Sequence, residues 1–186
     1  MSFRFSIRLS GAGGHGLIQA ARILAEAGAV YDNKNAAESC SYGPEARGNA
    51  SCAEIVLSDE AIDCPRVESV NILLVLTQEA FDKHIPDLEP SGMIIADSNI
   101  VVDGIEPGQI HYSAPFLEIA KSKLSKPSLI NILALGFLAE VCDAIEKKSI
   151  RQAILARVPR MSEDIYMSAF ETGLQIAAEA PETIGD

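Results

Sequence analysis

Six residues, Gly11-Ala12-Gly13-Gly14-His15-Gly16, separate a stretch of strict alternation from a stretch of helical spacing, and this junction constrains the fold more than any other feature. Before it, Phe3, Phe5, Ile7 and Leu9 alternate with Arg4, Ser6 and Arg8, a period of two that predicts a strand with one covered face. After it, Leu17, Ala21, Leu24, Ala25 and Gly28 recur at helical spacing, which predicts a helix from near His15 to near Gly28. A strand, a glycine turn and a helix in that order form the opening unit of many phosphate-binding α/β folds.

The rest of the chain continues that pattern. Val30 and Tyr31 suggest a short second strand, and Cys52 to Leu57 a further one in antiparallel setting. Val70 to Leu76 is a continuous apolar run suited to a central parallel strand, and Gln78 to His84 reads as a short helix. Gly92 to Ala96 and Ile110 to Ser113 add two strands. Three helices follow, Ser128 to Asp143, Ser149 to Arg157 and Ser162 to Glu179, with Ser128 and Ser162 as N-caps and Pro159 between the last two. The expected fold is α/β: a doubly wound, mostly parallel sheet with flanking helices and a helical C-terminal third. The helix after Ser128 is apolar almost all round, so it is buried either inside the domain or under another subunit. The tail from Pro181 to Asp186 is expected to fray.

With 186 residues the chain suits one domain, 1–186, burying roughly two thirds of its unfolded surface. A net charge of −11 and a pI of about 4.7 repel phosphate backbones and anionic membranes, which argues against nucleic acid and membrane as partners. The longest apolar stretch, Pro127 to Ala139, is shorter than the roughly 20 residues that span a bilayer, so the expected compartment is the cytoplasm. Cys40, Cys52, Cys64 and Cys142 include no C-x-x-C, and twelve-residue intervals match neither an iron–sulfur nor a zinc site. They read as small buried hydrophobes, and no metal ligand is assigned. A 48% share of hydrophobic residues leaves two readings open: apolar surface covered by partners, or an α/β core rich in Ala.

Gly11, Gly13 and Gly16 satisfy G-x-G-x-x-G, and Asp32 falls near the place of a ribose carboxylate, as in a nicotinamide-binding domain. Gly14 and His15 point instead to another phosphate-bearing ligand, and a purely structural turn is the third reading. Asp32, followed by Asn33-Lys34-Asn35, reads as a solvated turn residue, and His15 as a residue of the first helical turn.

About thirty residues on lies a second loop, Tyr42-Gly43-Pro44-Glu45-Ala46-Arg47-Gly48-Asn49-Ala50-Ser51. Tyr42 can cover a flat group, Glu45 and Arg47 can form charge-assisted hydrogen bonds, and Gly43 and Gly48 permit backbone geometry that other residues resist. Glu45 and Arg47 either brace the loop against a neighbouring subunit or touch a ligand. In these two loops together, the chain resembles the gamma subunit of 2-oxoacid:ferredoxin (acceptor) oxidoreductases, the pyruvate, 2-oxoglutarate and ketoisovalerate group. The family pattern is G-x-G-G-Q-G, an Ala-rich helix, Y-G-P-E-x-R-G-G-x-S, a strand, I-x-x-P and an apolar strand. Here these are GAGGHG, AARILAEA, YGPEARGNAS, AEIVLS, IDCP and NILLVL, and Asn131 and Gly136 in NILALG also match. His15 stands where the family usually has Gln, and Asn49 where it has the second Gly of Arg-Gly-Gly.

The resemblance implies a non-autonomous subunit of a complex that oxidatively decarboxylates a 2-oxoacid to an acyl-coenzyme A. The short stand-alone form favours 2-oxoglutarate. It implies coenzyme A as a substrate of the complex, with thiamine diphosphate, magnesium and iron–sulfur clusters in partner subunits and none tightly bound here. The implied partners are alpha and beta subunits, with a delta subunit left open, and ferredoxin through the complex; the isolated chain is expected to self-associate. The residues expected to contact a ligand or the shared surface are Gly11, Gly13, Gly14, His15, Gly16, Tyr42, Gly43, Glu45, Arg47 and Gly48, none of them catalytic. The rivals are an NAD-binding Rossmann-type domain and a purely structural assembly subunit.

Overall fold

The alternation at the start of the chain becomes strand β1 (Arg4–Ala12), and the helical spacing after the glycines becomes α1 (Leu17–Glu26). The computed structural model describes residues 3–42, 50–65, 67–124 and 126–185. After α1 come a π-helical turn (Ala27–Tyr31), β2 (Asn35–Tyr42), β3 (Ala50–Ser58), β4 (Val70–Val75), α2 (Gln78–His84), β5 (Leu88–Asp97) and β6 (Ile110–Ala114). Then follow α3 (Phe116–Ser122), α4 (Ile130–Val141), α5 (Lys147–Arg157), α6 (Glu163–Glu179) and β7 (Thr183–Ile184). The strands form one seven-stranded sheet in the order β2-β3-β1-β4-β5-β6-β7. β1, β4, β5 and β6 are mutually parallel neighbours; β3 runs against β1 and β2, and β7 against β6.

The sheet is covered on both faces, as a doubly wound sheet requires. Ile7 and Leu9 of β1, Ile55 and Leu57 of β3, and Ile72 and Leu74 of β4 join the larger core with α1, α4, α5 and α6. On the other face Leu73, Val75, Ile94 and Ala96 pack with Ala80 and Phe81 of α2. Because both faces are occupied, β1 is not the half-exposed strand its alternation predicts. Arg8 is buried, ion-paired with Glu54 at 2.7 Å and with Asp87, and lies 3.3 Å from Nδ1 of His84. A buried guanidinium is tolerable only with such partners.

Several other expectations change. Val30 and Tyr31 belong to the π-helical turn, and the second strand lies further on at β2. α1 ends at Glu26, near Gly28 as expected, and the π-helical turn carries the chain through Gly28, where a Cβ would stand 2.5 Å from Leu57 Cδ2, so glycine serves close packing against β3. Ser162 stands at the N-cap position of α6 as expected, without a side-chain cap hydrogen bond, whereas Ser128 sits in a 3-10 turn (Pro127–Leu129) leading into α4. The tail is not frayed at Thr183–Ile184, which pair with β6, and Tyr112 donates to Glu182 Oε2 at 2.7 Å. Cys52 and Cys142 are buried as expected, but Cys40 on the edge strand β2 and Cys64 in the β3–β4 connection are exposed.

The apolar helix α4 is buried inside the domain, against α6 and the sheet. Its fully buried Leu135, Phe137 and Leu138 each contribute about 1.5–3 kcal/mol by burial. Exposed large hydrophobics among the described residues are Val30, Val101, Met161 and Ile184, on four separate segments. Most of the chain's apolar content therefore goes to its own core. Among the described residues, no helix is long and apolar enough to cross a membrane.

Candidate functional site

Strand order reverses at β1, because the chain passes from it to β2 and β3 on one side and to β4 on the other. In open α/β sheets, ligands bind outside the carboxyl ends of the strands at such a reversal. The glycine turn lies at that end of β1. Gly11 and Ala12 still belong to the strand, Gly13 and Gly14 are exposed at the tip, and Gly16 precedes α1. Gly14 has φ 94° and Gly16 φ 70°, left-handed values that favour glycine. The helix thus begins at Leu17, and His15 belongs to the turn and not to the first helical turn.

His15 holds the turn closed. Its N–H donates to the Ala12 carbonyl oxygen and the Ala12 N–H donates to its Nδ1, both at 3.2 Å. Burial pushes its pKa below the ordinary imidazole value of 6.5, against the opposing pull of the Asp97 carboxylate. From the far side of the chain, Asn131 Nδ2 on α4 donates to the Gly16 carbonyl at 3.2 Å. The foot of α4 and the start of α1 are thereby fastened together.

Between them lies a cleft of about 340 Å³ lined by Gly13, Gly14, His15, Lys121, Ser128 and the apolar residues Leu117, Ala120, Pro127 and Ile130. Although the chain carries a net charge of −11, no carboxylate is among these lining residues, and Lys121 supplies a cation. The start of α1, which has no side-chain cap, lies at this end of the sheet, and the N-terminal end of a helix favours anions. Asp97, fully buried at the end of β5, is occupied: its Oδ1 accepts from the N–H and Nδ2 of Asn99 at 3.0 and 2.7 Å, and its Oδ2 from the Leu117 N–H at 2.8 Å. It anchors α3 and so positions Lys121.

The two loops share a root. Gly11 is paired with Ser51, and Ser51 with Tyr42, in adjacent strands. Gly43, Glu45, Arg47 and Gly48 lie outside the described residues. The structure therefore brings Gly11, Gly13, Gly14, His15 and Gly16 together and sets the Tyr42 backbone in the same row. Motif spacing missed Lys121, Ser128 and Asp97, because α3 was not foreseen; the Pro115 that precedes it was the only local signal.

Asp32 is neither a solvated turn residue nor a free ribose carboxylate. It accepts from the Glu146 N–H at 2.8 Å, from Lys34 Nζ at 2.9 Å and from the Ser149 hydroxyl, bracing the start of α5. Burial raises its pKa, but the hydrogen bonds from Ser149, Glu146 and Lys34 outweigh it and hold the carboxyl below its ordinary value of 3.8.

Comparison with known proteins decides the family. The model of the pyruvate ferredoxin/flavodoxin oxidoreductase family matches residues 6–176. The chain belongs to that family. It is 41% identical to the 2-oxoglutarate synthase subunit KorC of Methanocaldococcus jannaschii over 181 residues, covering 96% of this chain and 97% of the relative. Among solved structures it resembles the gamma subunit of a keto/oxoacid ferredoxin oxidoreductase from Geobacter sulfurreducens, with a TM-score of 0.84, 37% identity and coverage of 95% and 98%. The same fold recurs, at 20% identity and a TM-score of 0.84, in a 2-oxoglutarate:ferredoxin oxidoreductase from Magnetococcus marinus solved with 2-oxoglutarate, coenzyme A and succinyl-CoA bound. The match covers 95% of this chain and 31% of that one. As a gamma subunit of the 2-oxoacid:ferredoxin oxidoreductase family, the chain is one part of a multi-subunit oxidoreductase. Its cleft at the carboxyl end of β1 is thus the candidate site of a subunit that works inside an assembly.

Proposed function

We propose that residues 1–186 form a single gamma-type domain of a cytoplasmic complex that converts 2-oxoglutarate to its acyl-coenzyme A product, and that the glycine cleft holds the phosphate end of coenzyme A. The observation that carries this reading is the cleft's chemistry: in a chain of net charge −11, its lining among the described residues has Lys121 and no carboxylate. A pyrophosphate fits that donor set, since exposed Gly13 and Gly14 allow close backbone approach. The 41% identity to a 2-oxoglutarate synthase subunit supports the choice of oxoacid.

In this reading Lys121 pairs with phosphate, His15 donates a hydrogen bond, and the apolar side of the cleft excludes water. Tyr42, Glu45, Arg47 and Gly48 form the surface shared with the thiamine-binding alpha and beta subunits. Thiamine diphosphate with its magnesium, in those partners, supplies the decarboxylation chemistry, while iron–sulfur clusters there carry electrons to ferredoxin. This chain orients the coenzyme and breaks no bond itself.

Steady-state kinetics of the reconstituted complex tests the assignment. Lys121→Ala should raise the KM for coenzyme A by about tenfold, the loss of one charge-assisted contact, and leave the KM for 2-oxoglutarate unchanged. An unchanged KM for coenzyme A would leave the chain with an assembly role alone.

A further inference from the structure

His15 bonds to Ala12 twice, through its backbone N–H and through its ring, and the ring bond fixes its protonation as well as its place. The Ala12 N–H donates to Nδ1 at 3.2 Å, so Nδ1 must present a lone pair. A neutral imidazole carries one ring proton, and here it can sit only on Nε2. The ring is seated on bare backbone: a Cβ at Gly11 would stand 2.9 Å from Nδ1. Among the described residues Nδ1 is the ring nitrogen that makes a hydrogen bond, and Nε2 makes none. The half-buried ring lines the cleft beside Gly13, Gly14 and Lys121.

We propose that His15 is the positioning and specificity-determining donor of this cleft: the turn locks the neutral Nε2–H tautomer, Nε2–H is offered to an acceptor oxygen of the phosphate-bearing ligand, and a second proton on Nδ1 opens the turn. This inference rests on the coenzyme A reading. Protonation sets an N–H at Nδ1 against the N–H of Ala12 and ends the bond that closes Gly13-Gly14. Among the described residues, the charged groups around the ring are Asp97 on β5, which favours the imidazolium, and Lys121 on α3, on the wall of the same cleft. β1, the residue after β4, α1 and α4 present Gly11, Leu76, Leu17 and Asn131 at this turn, none of them charged. Burial lowers the pKa of the ring in spite of Asp97, so the neutral form persists below the ordinary imidazole value of 6.5.

Two measurements test the proposal. Long-range proton–nitrogen correlation on the full chain labelled with ¹⁵N-histidine, with His15 assigned by its loss in His15→Gln, should show Nδ1 bare and Nε2 protonated at pH 7.5; the reverse tautomer or an even mixture overturns it. In the reconstituted complex, the apparent KM for coenzyme A should stay flat near pH 7.5 and rise only as pH falls below the ordinary imidazole value of 6.5, because burial moves the titration of this ring downward. Glutamine can accept from Ala12 and donate to the ligand without titrating, so His15→Gln should keep the pH 7.5 value and flatten the profile. His15→Ala should raise the KM about tenfold across the range. If Lys121→Ala raises the KM and His15→Ala does not, the role of His15 fails while the coenzyme A site stands. If neither raises it, the coenzyme A reading itself falls, and this inference with it.

Discussion

Asn131 on α4 donates through Nδ2 to the carbonyl oxygen of Gly16, 3.2 Å away and 115 residues earlier in the chain. Its Oδ1 accepts from the Ile132 N–H at 2.9 Å, so both ends of the buried amide are used. The approach is close enough that a Cβ on Gly16 would stand 2.8 Å from Nδ2. Asn131→Ala should therefore lower stability by about 1–3 kcal/mol. Asn131→Asp should cost more, because a carboxylate would face the Gly16 carbonyl. Urea midpoints for both variants check the order; equal midpoints for wild type and Asn131→Ala would mean that the bond supports nothing.

Gly136 and Gly173 set the crossing of α4 and α6. A Cβ on Gly136 would lie 2.1 Å from the Phe170 carbonyl oxygen, and one on Gly173 2.1 Å from that of Leu133. Neither obstacle is a flexible side-chain end, so the helices themselves must part. Gly136→Ala and Gly173→Ala should each destabilise by about 3 kcal/mol or more, beyond the small gain in helix propensity. Thermal melting followed by far-ultraviolet circular dichroism should show lower transitions for both, whereas Ala153→Gly on α5 should cost only its lost propensity and buried methyl.

The parts of this architecture that were legible in the sequence are those fixed by neighbours in the chain. α2 runs from Gln78 to His84 as its spacing predicts, because Thr77 caps it locally by accepting from the Ala80 N–H at 3.3 Å. The glycine turn was legible because left-handed backbone at Gly14 and Gly16 demands glycine in the sequence. By contrast, β2 is made of Asn, Ala, Glu, Ser and Cys before Tyr42, residues with weak strand preference, and exists through its ladder to β3. α3 depends on Asp97, 20 residues upstream of Leu117, and β7 on pairing with a strand some 70 residues away. The candidate site shows the same division: the glycines were readable, while Lys121, Ser128 and the true task of Asp32 depend on contacts that no local pattern records.

Asp32 offers a direct test between a helix brace and a cofactor ligand. With the Glu146 N–H, the Ser149 hydroxyl and Lys34 already on its carboxylate, it has no role left for a ribose. Asp32→Ala should lower stability by about 1–2 kcal/mol, as loss of a helix N-cap does. Fluorescence titration of the wild-type chain with NADH should show no saturable binding. Saturable NADH binding that disappears in Asp32→Ala would reverse the assignment.

Acid should weaken the fold in two separate stages. Burial lowers the pKa of His15, of His84 and of His111; at His84 the nearby Arg8 and Lys83 lower it further, and Nε2 of both His84 and His111 is buried without a partner. In each case the unfolded chain takes up a proton near pH 6.5 that the folded chain resists, so stability falls as pH drops below about 6.5. Asp32 acts in the opposite sense of charge: its folded pKa lies below 3.8, so its contribution is complete above that value and is lost as pH falls through the folded one. Calorimetric Tm values should decline from pH 7 to 5 and again below about pH 4. His84→Gln should shallow the first decline and leave the second, while Asp32→Asn should do the reverse from a lower starting Tm. A Tm that stays constant from pH 7 to 5 would mean that the three rings are free to take up protons in the folded chain.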